Sequence, residues 1–127
     1  MAKQMDLSEV GMALSNKYNE FLFSSIATNK VQEALDDAER ILYHGDLSDS
    51  VVGAVKQLKK DKVDFINRTE VLIGEFEEMA KAVEPKLREV RDDYSHYLLG
   101  VIGEYRKRFA AFEIKYGVNL GVSKENQ

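Results

Sequence analysis

A chain of 127 residues with net charge −4 has room for one domain, and its charge argues against affinity built on phosphate neutralisation. The composition, 44% hydrophobic and 31% charged with one proline and no tryptophan, reads as a helical protein rather than a disordered one. The absence of cysteine excludes a disulfide framework, a thiolate metal site and a cysteine nucleophile.

No apolar run reaches the roughly 18–20 residues a membrane span needs. The start, Met1-Ala2-Lys3-Gln4-Met5-Asp6, turns polar at once and offers no signal-peptide core. The chain is therefore expected in the cytoplasm, or outside it by a route that reads no cleavable signal.

Asp6-Leu7-Ser8-Glu9 has the form of a helix start, with Asp6 as N-cap and Met5 and Val10 flanking it as a hydrophobic staple. One seven-residue register then runs Leu7, Val10, Leu14, Lys17, Phe21, Ser24, Thr28, Val31, Leu35, Ala38, Leu42. Steps of three and four keep these side chains on one stripe, and eight of the eleven are apolar. The seam weakens at Ser24-Ser25-Ile26-Ala27-Thr28-Asn29, where small residues permit close helix approach or Asn29 recaps a second helix. One continuous helix to about residue 43 is the expectation.

Gly45 stands where a left-handed residue ends such a helix without a Cβ penalty. Ser48 is placed to cap the next one, with Asp46 and Asp49 near the positive end of its dipole. So short a connection turns the two helices antiparallel. The second seam runs Val51, Val55, Leu58, Lys62, Phe65, Thr69, Leu72, Phe76, Met79, Val83, and can be followed beyond Pro85 through Val90, Tyr94, Tyr97, Val101, Tyr105 and Phe112. Pro85 removes a backbone donor, so the helix kinks there or ends near Val83 and restarts. Two all-α architectures follow: an antiparallel helical hairpin with a long, Pro85-kinked second helix, or a three-helix bundle. Residues 1–116 form the single helical domain, and from Gly117 onward the pattern is lost, as expected of a flexible tail over 117–127.

No catalytic constellation emerges. His44 and His96 are the two histidines, and only His96 has an acid three residues before it, so a carboxylate metal site lacks its second half. Asp36-Asp37 and Asp92-Asp93 are adjacent on helices and point about 100° apart, as solvated faces do. Gly100 and Gly103 fall mid-helix, where they let another helix approach. Lys59-Lys60 and Arg106-Lys107-Arg108 are flanked by acids, which argues against nucleic acid or anionic lipid. The reading is of a protein that is not an enzyme and needs no cofactor or metal. A two-helix hairpin of this size leaves apolar surface for a partner to cover.

Tyr43-His44-Gly45, with Asp49 opening the next helix, resembles the Trp-x-Gly corner of the small Esx-like proteins, tyrosine standing for tryptophan. The resemblance implies a helical hairpin exported by type VII secretion as a homo- or heterodimer. Phe109 and Glu113, followed by Tyr116 and Leu120, are similar in spacing to that family's C-terminal export signal, read by the secretion ATPase. The longer second helix and Pro85 look more like the accessory proteins that bind the N-terminal domains of LXG toxins. The implied role is a secretion substrate or effector-targeting factor. The alternative is an immunity protein or chaperone, built as a three-helix bundle, that binds its partner without being exported.

Overall fold

A computed structural model describes residues 6–45 and 47–117. Those residues form three helices and no strand: α1 (Leu7–Tyr43), α2 (Asp49–Val90) and α3 (Asp93–Tyr116). Asp6 caps α1 as its sequence suggests, its Oδ1 accepting the Ser8 and Glu9 N–H groups at 3.0 and 3.3 Å. The Met5 half of the staple, Asp46 and all of the tail beyond Gly117 lie outside the described residues.

α1 runs unbroken through Ser24–Asn29, and every one of its seam positions is buried or half-buried. It ends at Tyr43, and two residues on Gly45 has a φ of 99°, the left-handed conformation that glycine adopts without strain. Ser48 precedes α2 directly and its carbonyl accepts the Val52 N–H at 3.0 Å.

Of the two outcomes expected at Pro85, an end of the helix near Val83 does not occur. α2 passes through Pro85 and stops five residues later, at Val90. Pro85 deprives only the Lys81 carbonyl of its helical donor, and both residues are exposed, so water can serve that carbonyl. What stops the helix is Arg91, at φ 62°, followed by Asp92. The Asp92 carboxylate accepts the Ser95 N–H at 2.7 Å and so caps α3. That bond also holds its carboxyl below the usual acidity range, with the nearby His96 adding a smaller effect. Asp92-Asp93, read above as a solvated face, is a helix start.

The stop resets the register. Of the residues placed on the seam by reading through the break, Val90, Tyr94 and Tyr97 are exposed, Val101 and Tyr105 half-buried and Phe112 buried, while Leu98, Ile102 and Phe109, off that seam, are buried with it. Gly100 and Gly103 face open space and admit no neighbour, contrary to the expectation for them. The close approach falls at Gly11, where the Tyr94 hydroxyl lies 2.6 Å from the place a Cβ would take.

By contacts the chain divides into two units: a terminal unit, Met1–Phe21 with Val71–Gln127, and a central unit, Leu22–Glu70. In the terminal unit Leu14, Tyr18 and Phe21 of α1 are buried along with Leu72, Ile73, Phe76, Ala80 and Leu87 of α2 and the four residues of α3 named above. Phe109 sits edge-on to Phe21 and Phe76 at 4.7 and 5.0 Å, and Tyr18 stacks on Tyr105 at 3.9 Å. Arg106 donates to both Glu77 and Glu84, with bonds of 2.7–3.1 Å, tying α3 back to the last turns of α2. These bonds lower the acidity range of Glu84 and raise the Arg106 guanidinium still further above its ordinary value. In the central unit the buried residues are Ser24, Thr28, Leu35, Val55 and Thr69.

Candidate partner-binding surface

The central unit has two helical segments with which to bury its apolar residues. Three of its five buried side chains are hydroxylic, and they satisfy one another. Ser24 Oγ and Thr69 Oγ1 are 2.6 Å apart across the pair, and Thr28 and Thr69 each donate to a carbonyl one turn back. Small side chains at this level allow the close approach that the Ser24–Thr28 stretch suggests. They also leave less apolar area to bury.

Larger apolar groups consequently stand outside. Phe23 is 70% exposed, Leu47 72% and Tyr43 89%, with Ile26, Ile41 and Val63 each about half exposed. Phe23 lies one position before the buried Ser24 and is exposed with its flank of the helix. The corner residues behave as a group. Tyr43 projects into solvent with its ring edge-on to His44 at 6.4 Å, Gly45 supplies the left-handed turn, and Asp49 begins α2 exposed. Lys59 lies 3.8 Å from Glu39, so this basic pair is partly matched within the unit.

The second group of expected site residues belongs to the terminal unit. Phe109 is 2% exposed and forms part of the aromatic core. Glu113 is half-buried, Tyr116 packs on Phe112 at 4.8 Å, and Leu120 lies outside the described residues. Arg106 and Arg108 of the neighbouring basic run are engaged at home, Arg108 donating to the Tyr18 hydroxyl at 2.8 Å. A separate groove, lined in part by Gly11, Met12, Tyr94 and Tyr97, opens on this unit with Tyr94 and Tyr97 stacked 5.9 Å apart.

Both histidines are exposed, and no cluster of three histidine or acidic side chains able to hold a metal occurs among the described residues. None of the helices is long and apolar enough to cross a membrane. What these residues can do chemically is present apolar and aromatic surface. No family model, curated protein or solved structure matches the chain. The class that the fold defines is an all-α protein, with three helices among the described residues.

Proposed function

We propose that the chain is a non-enzymatic helical partner protein that binds a second helical protein, or a second copy of itself, through its central unit. In this reading the central unit is an antiparallel hairpin and the terminal unit packs three helical segments. The supporting observation is the exposure of Phe23, Ile41, Tyr43 and Leu47 on a unit whose own core is mostly hydroxylic. The biological setting proposed is type VII secretion, with the chain acting as a substrate or as a targeting factor for an LXG toxin. Tyr43, Gly45 and Asp49 form the corner that supports this setting. Glu113 and Tyr116 would be the presented part of the export signal, with Phe109 anchoring their helix.

The test is co-expression with the N-terminal domain of an LXG toxin encoded beside this chain, followed by light scattering on the purified material. The expected result is a stoichiometric complex that the double substitution Phe23→Ser with Tyr43→Ser dissociates. A monomer that forms no complex, and whose release is unchanged by loss of the secretion ATPase, defeats the proposal.

Burial of Phe109 and Phe112 favours a second reading, because a core residue is withdrawn from a secretion receptor. That reading is an immunity protein or chaperone that stays with its partner inside the cell. It predicts protection of cells from a toxin with no secreted pool, and Glu113→Ala without effect.

A further inference from the structure

At the junction of α2 and α3 the terminal unit holds a cavity of about 320 Å³ lined by Leu87, Arg88, Arg91, His96 and Leu99. Leu87 is wholly buried and Leu99 half-buried, so the floor is aliphatic. Two arginines and a histidine complete the lining, and no acid is among the lining residues. Asp92 follows Arg91 in the chain, and its carboxylate is occupied in capping α3. Arg88 leans on Glu84 at 3.8 Å with its side chain 65% exposed, a loose pair that leaves donors to spare.

A second observation singles out Arg91. Three described residues adopt positive φ: Gly45, Gly117 and Arg91. Glycine fills two of them, as conformational freedom favours. The third keeps a long cationic side chain at a backbone angle that disfavours it, and this is the one that lines the cavity.

We infer that this cavity takes an apolar side chain of a protein partner whose neighbouring carboxylate is gripped by Arg91 and Arg88. The inference rests on the partner-protein reading above and names the chemistry of one contact. An aliphatic floor accepts a leucine-sized knob, and the charges of Arg88 and Arg91 complement a carboxylate on an adjacent helical turn. An acidic bilayer is disfavoured as the source of the anion, because a chain of net charge −4 is repelled by it.

The test uses the full chain and a fluorescein-labelled amphipathic peptide with leucine and glutamate one turn apart on one face. A control peptide has glutamine for glutamate, and phosphatidylglycerol vesicles form a third arm. Saturable binding is expected for the glutamate peptide, weakened about tenfold by glutamine, with amide shifts confined to residues 87–99. Arg91→Gly, which frees the backbone, should raise or preserve the thermal midpoint and still cost about tenfold in affinity. Arg91→Met keeps the apolar stem and should lose the same glutamate preference. Equal binding of the two peptides, unchanged affinity in Arg91→Gly, no saturable binding, or binding to vesicles instead each overturns the inference. If an LXG toxin domain binds the chain and Arg91→Gly leaves that complex intact, the cavity assignment fails while the partner reading stands.

Discussion

The terminal and central units both leave some large apolar side chains exposed, yet only the terminal unit also gathers a broad apolar and aromatic core. In the terminal unit a third helical segment supplies Leu98, Ile102, Phe109 and Phe112, so the rings of Phe21 and Phe76 meet aromatic partners from another direction. The central unit has two segments, fills its closest approach with Ser24, Thr28 and Thr69, and keeps Phe23 and Tyr43 at the surface. A helix has one seam but two flanks, and a single neighbour covers only the seam. Packing on a third element separates a core from a surface.

The comparison breaks most readily at Phe109. Phe109→Ala should cost about 3–5 kcal/mol in denaturant unfolding, as expected for an aromatic in a tight core. A loss under about 1 kcal/mol would mean that the terminal unit is no better packed than the central one.

Next in size is the charged clasp of the terminal unit. Arg106 does not titrate in the accessible range, so the pH dependence belongs to Glu84. Its folded carboxyl lies below the ordinary value of 4.5, and the stability it contributes is full above about pH 4.5. That stability disappears as pH falls through the lowered folded value. Glu84→Gln should therefore cost about 1–3 kcal/mol near pH 7 and flatten this part of the acid limb, measured by unfolding across a pH series. An unchanged acid limb would remove Glu84 from the account.

In the central unit the hydroxyl pair gives a sharper test than a larger deletion. Thr69→Val alone should cost about 1 kcal/mol, because it strands the buried Ser24 hydroxyl, and Ser24→Ala should cost less, because Thr69 still donates to the Phe65 carbonyl. Together they should cost less than the sum, a coupling a double-mutant cycle reads directly. Strict additivity would mean that the 2.6 Å contact carries no energy.

The smallest expected effect falls on the surface. Phe23→Ser and Tyr43→Ser should shift folding stability by no more than about 0.5 kcal/mol while removing partner binding. A loss of several kcal/mol on thermal unfolding would place these residues in a core and undo the contrast between the units.

Much of this was legible in the residues alone. The α1 seam, the Asp6 cap, the Gly45 corner and the start of α2 follow from local rules, each acting over one or two helical turns. The end of α2 was not legible, because the proline drew attention to residue 85 while the stop lies at Arg91-Asp92. The signal available was Asp92 three residues before Ser95, an N-cap spacing hidden by reading the two adjacent acids as a solvated face. Among the candidate site residues, the exposed corner followed from its place between two helices. The burial of Phe109 did not, since spacing alone cannot say whether a periodic aromatic faces a partner or its own core.

The sequence by itself determined that the chain is helical, where its first helix begins and ends, and which stripe of it turns inward. Those properties depend on dihedral preferences and on hydrophobic period, both local in the chain. Only the tertiary structure decided that α3 would bring Phe109 to Phe21, that Arg106 would close on Glu77 and Glu84, and that Arg91 would line a cavity. The first two are meetings of residues far apart in the chain, the cavity gathers residues 87–99 across the helix break, and all three depend on where one helix stops and the register starts again.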